Sequence, residues 1–176
     1  MGKFGRTLLV FLHGSGGTGP FLQTYLETAP LKAFGYETFW DLLRAEDIDI
    51  MTPTAPMRRY SAAGGEKMNV WFDRSPFFFH EGLASQEDVE GIDQAWEILL
   101  QKIKEVDSKA AYEHIFLAGF SMGGGMIYHA FRTARELLPR VRGVFTMGSF
   151  LVEKSAVLDP SIPLPNTIPM LIMHGK

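Results

Sequence analysis

The chain contains no cysteine. That excludes disulfides, thiolate metal ligands and a cysteine nucleophile, and it is compatible with a reducing compartment. It also lacks an excess of positive charge: 17 basic residues against 20 acidic ones give a formal net charge of -3. Nucleic-acid binders carry a basic stripe, so no nucleic-acid partner is expected. No apolar run reaches bilayer length; the one near the N-terminus, Leu8 to Leu12, is too short for a transmembrane helix or a signal-peptide core. Repeats, low-complexity tracts and charge blocks are absent as well. What remains is a globular composition, 46% hydrophobic over 176 residues, which suits a single cytoplasmic domain spanning 1–176.

The elements alternate between strand and helix, which predicts an α/β fold with a mostly parallel sheet. Thr7 to Leu12 is apolar without alternation, the pattern of a strand buried on both faces. A glycine-rich turn, His13 to Gly19, follows, and then a helix from about Phe21 that Pro30 ends or kinks. Ile48 to Met51 reads as a short strand. The stretch from Thr52 to Gly82 shows no clear period and reads as a long excursion, rich in aromatics: Tyr60, Trp71, Phe72, Phe77, Phe78 and Phe79. So many large apolar side chains predict docking on the core or a substrate groove. The clearest helix spans Ser85 to about Val106. Ser85 and Asp88 form a capping box, and Val89, Ile92, Trp96, Leu99, Ile103 and Val106 form a stripe directed at the sheet. Strands follow at His114–Gly119, Val144–Met147 and Met170–His174, and a helix at Gly123–Leu138.

Gly119-Phe120-Ser121-Met122-Gly123 is a Gly-x-Ser-x-Gly unit between a strand-like run and a helix. In that context it predicts a nucleophile elbow. Ser121 sits in a turn so tight that only glycine fits on either side, and its hydroxyl projects above the C-terminal edge of the sheet. The Met122 amide opens the next helix and faces a developing oxyanion.

The first glycine loop has two readings. Gly14-Ser15-Gly16-Gly17-Thr18-Gly19 matches the dinucleotide fingerprint Gly-x-Gly-x-x-Gly, with Glu37 or Asp41 available about twenty positions on. It also matches an oxyanion loop, in which the Ser15 amide is the second donor. His13 before the first glycine and Pro20 after the last favour the oxyanion reading, because Pro20 starts the helix beyond the loop. Neither a cofactor nor a metal is called for by that reading.

A serine nucleophile needs a general base, and hydrolases of this type run Ser, acid, His along the chain. His129 lies eight residues past Ser121, about 12 Å of helical rise, too far to bond. His174, with Asp159 before it, satisfies the order but ends a short apolar strand. His80 lies in the aromatic excursion and His114 precedes the elbow. The residues alone supply a nucleophile without a convincing base. A non-catalytic acyl- or protein-binding fragment is the corresponding alternative.

Four motifs in register carry a family resemblance: Phe11-Leu12-His13-Gly14-Ser15-Gly16, Pro53-Thr54-Ala55-Pro56, Asn69-Val70-Trp71-Phe72-Asp73 and Gly119-Phe120-Ser121-Met122-Gly123-Gly124. Together they resemble the acyl-protein thioesterase and lysophospholipase group of carboxylesterases. The resemblance implies an α/β-hydrolase fold and hydrolysis of acyl esters or thioesters, with acylated proteins (depalmitoylation), lysophospholipids or small esters as substrates. By the match Ser121 is the nucleophile, the Ser15 and Met122 amides form the oxyanion hole, and Trp71 to Asp73 brace the site, with Asp73 holding a loop. Gly17 stands where the family carries an acidic residue. Met173-His174-Gly175 resembles the family's His-Gly turn, after which its catalytic aspartate and histidine follow. The resemblance therefore puts both beyond Lys176, with a last strand and helix, and the chain reads as C-terminally truncated, with little or no turnover expected.

Overall fold

The computed structural model describes residues 5–75, 88–133, 135–152, 155, 158–163 and 167–175. Its centre is a five-stranded sheet in the order β2-β1-β5-β6-β7, formed by Ile48–Met51 (β2), Thr7–Leu12 (β1), His114–Phe120 (β5), Val141–Met147 (β6) and Met170–Met173 (β7). Every pairing in it is parallel. All six residues of β1 are buried. Leu8, Val10 and Leu12 face the larger core with helices α3 (Val89–Ala110) and α4 (Met122–Thr133). Leu9 and Phe11 face a smaller core under α1 (Gly19–Thr28) and α2 (Phe39–Ala45). Burial on both faces is why the run shows no polar alternation.

The chain leaves β1 towards β2 on one side and reaches β5 on the other. The C-terminal ends of β1 and β5 therefore flank a reversal of strand order, where α/β sheets form their ligand crevice. The glycine loop follows β1 and Ser121 follows β5, so topology alone brings the two motifs to one place.

Several expectations change in detail. Helix α1 begins at Gly19, because the Thr18 side chain caps it and Pro20 fits the first turn. Helix α2 is unanticipated; Thr38 and Asp41 form its capping box, which gives Asp41 a structural task. Helix α3 runs to Ala110, and Asp88 caps its start by accepting from the Gly91 amide. Ser85, His80 and Phe77 to Phe79 lie outside the described residues. Helix α4 ends at Thr133 rather than Leu138, and β6 begins three residues early at Val141.

The excursion after β2 holds a two-stranded hairpin, β3 (Met57–Tyr60) and β4 (Glu66–Asn69), before Trp71 and Phe72 dive into the core at 3% and 0% exposure. Among the described residues no helix is long and apolar enough to cross a membrane.

Candidate active site

Ser121 lies between β5 and α4 with φ +52°, one of three described non-glycine residues with positive φ. The left-handed conformation of a residue with a Cβ costs on the order of 1–2 kcal/mol. Three bonds hold it: the Ser121 amide donates to the Met147 carbonyl at 2.9 Å, and its carbonyl accepts from the Gly124 and Gly125 amides at 3.0 and 3.2 Å. The flanking glycines are sterically required. A Cβ on Gly119 would strike the Gly123–Gly124 backbone, and one on Gly123 would strike the Leu12 and His13 carbonyls. Helix α4 can therefore lie directly over β5 and the end of β1.

The loop after β1 is clamped from three sides. His13 is 3% exposed. Its Nδ1 lies 2.7 Å from the Gly14 carbonyl, and its Nε2 lies 3.0 Å from the Ala55 amide. Since the Ala55 N–H can only donate, Nε2 accepts, and the proton sits on Nδ1. The ring is thus fixed as one neutral tautomer. Burial lowers the His13 pKa from 6.5, only partly opposed by the bond to Gly14. The Trp71 indole stacks at 5.1 Å from the His13 ring and donates from Nε1 to the His13 carbonyl at 2.9 Å. Further along, the Gly16 amide donates to the Asn69 carbonyl at 2.9 Å, Gly17 to Gly14 at 3.1 Å, and Gly19 to Thr54 Oγ1 at 2.8 Å. Asn69 Nδ2 ties the two supporting segments together through the Ala55 carbonyl at 2.8 Å.

Asn69 and Thr54 stood in the sequence motifs without an assigned task; their neighbourhood to a loop so poor in side chains was the available signal. The Asp73 carboxylate accepts from the Ser61 amide and hydroxyl at 2.7 and 2.6 Å, and thereby pins the turn of the β3–β4 hairpin.

Loop and elbow touch. A Cβ on Gly14 would come 3.1 Å from Ser121 Cβ, and Ser15 Oγ lies 3.8 Å from Met122 Sδ. Neither the Ser15 nor the Met122 amide donates to an acceptor among the described residues. Met122 is the first residue of α4, so its N–H is an orphan at the positive end of the helix dipole. Two free amides beside a half-buried hydroxyl form an arrangement able to stabilise an oxyanion on a carbon bonded to Ser121.

The described histidines do not complete it. Both ring nitrogens of His13 are engaged. His114 starts β5, roughly 20 Å along the strand from the elbow. His129 is 1% exposed on α4, with Nε2 3.0 Å from Asp93 and no partner for Nδ1 among the described residues; burial lowers its pKa, partly offset by Asp93. His174 follows β7, two strands or about 10 Å across the sheet from β5, and its Nε2 bonds the Ser149 carbonyl at 2.9 Å. The Asp159 carboxylate accepts from the Ser161 hydroxyl and amide at 2.6 and 2.8 Å, which lowers its pKa, while its carbonyl accepts from Arg132. Asp159 and His174 share no bond with each other or with Ser121.

Helix α1 starts at Gly19, the last glycine of the dinucleotide fingerprint, and not beyond the loop as Pro20 suggests, because the Thr18 side chain caps it there. Glu37 pairs with Lys32 at 3.2 Å.

Residues 3–176 match the phospholipase/carboxylesterase family model. Mouse lysophospholipase-like protein 1 is 35% identical over 171 residues, covering 96% of this chain and 64% of the mouse protein. Acyl-protein thioesterase 1 of Gibberella zeae is 26% identical over 172 residues, covering 96% and 68%. The chain thus spans about two thirds of the length of these relatives. Among solved structures, Zea mays acyl-protein thioesterase 2 superposes with a TM-score of 0.64 at 24% identity, over 100% of this chain and 74% of that one. Arabidopsis thaliana SOBER1 does so with a TM-score of 0.64 at 22% identity, over 97% and 74%. Both likenesses are likenesses of fold.

Proposed function

The chain belongs to the phospholipase/carboxylesterase family, and from that premise we propose that it is the nucleophile-bearing part of a serine hydrolase acting on acyl esters or thioesters. The carrying observation is Ser121 at φ +52° beside the unengaged amides of Ser15 and Met122. In this reading Ser121 Oγ attacks the acyl carbonyl, its proton passes to a base, and the two amides hold the oxyanion. The leaving alcohol or thiol departs, and water hydrolyses the acyl-enzyme. Acylated proteins, lysophospholipids and small esters share the required carbonyl. The mouse relative is a lysophospholipase-like protein and the fungal one an acyl-protein thioesterase, which supports both classes.

Among the described residues no histidine reaches Ser121, so slow turnover is expected of the nucleophile and the two amides on their own. Oxyanion stabilisation without a base leaves only a residual acceleration over water. The test is hydrolysis of a chromogenic short-chain ester by the chain and by Ser121→Ala, with and without added imidazole. A small serine-dependent rate that imidazole raises supports the reading. Equal rates for the two proteins would overturn the nucleophile. Fast serine-dependent turnover without imidazole would overturn the missing base.

A further inference from the structure

The first residues of three neighbouring strands, Ile48 of β2, Thr7 of β1 and His114 of β5, stand level across the sheet. They lie at the N-terminal ends of the strands, whereas Ser121 follows the C-terminal end of β5, about 20 Å away. There, on the face that α1 and α2 cover, a slot of about 600 Å³ opens, walled by Leu42, Ile48 and Phe116. Alternation along β5 puts Phe116 on the same face as Ala118, which belongs to the core under those helices. Yet Phe116 is 37% exposed, although β5 is the central strand of the sheet. Its ring lies over Gly143 of β6, where a Cβ would come 2.9 Å from it. The β6 end of the slot is cationic. Arg142, at the register shift between β5 and β6, donates from Nε to His114 Nδ1 at 3.1 Å and from Nη1 to the Pro139 carbonyl at 2.9 Å. Guanidinium nitrogens only donate, so Nδ1 accepts and the ring proton sits on Nε2. Among the described residues Arg142 Nη2 and His114 Nε2 have no acceptor, and no carboxylate lies within 4 Å of Arg142. The Glu46 carboxylate also lines the slot, at its β2 end, where Tyr36 Oη donates to it at 3.3 Å. From β2 to β6 is three strand spacings, about 14 Å.

We propose that this slot binds an unbranched aliphatic carboxylate, with its chain against Leu42, Ile48 and Phe116 and its head on Arg142 and His114. Apolar walls call for an aliphatic body, because its burial takes apolar surface of both partners out of water. Unengaged donors on a guanidinium call for an anionic head, whose bonds to them are charge-assisted. The acid at the β2 end and the cation at the β6 end set one orientation and disfavour a molecule with an anion at both ends. The volume is that of a site for a small ligand. Nothing in the slot involves Ser121, so this site and the hydrolase reading stand independently.

The test is a titration of the full chain with monomeric decanoate and with decanol, followed by amide chemical shifts. Decanoate moves the amide signals of Ile48, Phe116 and Arg142 and leaves those of Ser15 and Ser121 in place. Decanol, with the same chain and no charge, binds about tenfold more weakly. Arg142→Gln brings decanoate down to the affinity of decanol, and Phe116→Asn weakens both ligands. Lys102→Gln removes an exposed charge from α3, on the opposite face of the sheet, and changes neither. Failure of decanoate to bind, or equal affinity for decanoate and decanol, overturns the proposal. So do shifts gathered around Ser121, or an equal loss in Arg142→Gln and Lys102→Gln. The comparison of the two ligands uses the unaltered protein, so it decides the matter even where a variant unfolds.

Discussion

Replacing His13 should uncouple the glycine loop after β1 from its supports and remove a definable part of the protein's acid sensitivity. The native ring is neutral, with Nδ1–H donating to Gly14 and Nε2 accepting from Ala55. Its folded pKa lies below 6.5. Above 6.5 both folded and unfolded rings are neutral, and the residue adds no pH dependence. Below 6.5 the unfolded chain takes up a proton that the native state refuses, so stability falls by about 1.4 kcal/mol per pH unit until the folded pKa is reached. His129, buried and also lowered, contributes in the same direction. His13→Ala leaves the Ala55 amide and the Gly14 carbonyl unpaired, which costs about 3 kcal/mol at neutral pH. His13→Gln, able to donate and accept, costs less. Urea unfolding at pH 7.5 and 5.5 measures both effects. The native protein loses more stability between the two conditions than either variant, by at most about 1.4 kcal/mol. A variant as stable as the native protein, or one with an unchanged pH difference, would refute the fixed neutral tautomer.

Gly123→Ala forces a methyl group into the Leu12 and His13 carbonyls and should cost about 3 kcal/mol or more in urea unfolding, since backbone on both sides must yield. Trp71→Phe removes the bond to the His13 carbonyl while keeping an aromatic ring, and should lower stability by about 1–2 kcal/mol. Asp73→Asn keeps the shape but weakens the charged acceptor for Ser61; amide exchange at Ser61 should quicken while that in β1 stays slow.

The sheet was legible wherever the sequence carried a full signal. The run Thr7–Leu12 and the strand Ile48–Met51 are found as read, because burial on both faces or a proline-bounded stop leaves few alternatives. The elbow was legible because glycine on both sides of Ser121 answers a backbone clash. Helix α2 was not, since its seven residues carry too short a stripe and the Thr38–Asp41 box was the sole cue. The hairpin escaped because Arg58, Arg59, Glu66 and Lys67 do not alternate with apolar residues. Its strands are set instead by Gly64 and Gly65 at positive φ, by the Ser61–Asp73 bond at its turn and by the Asn69 bond at its base. The engagement of His13 with Ala55, 42 residues away, could not be read from spacing at all.

The central claim is that the Ser121 hydroxyl is a nucleophile held against an oxyanion site. Peptide mass mapping after exposure to an activated short-chain ester or a fluorophosphonate tests it most directly. The account predicts an adduct on Ser121, formed faster in imidazole and slower in His13→Ala. An adduct distributed equally over Ser15 and other exposed serines, or none on Ser121 at any imidazole concentration, would contradict it.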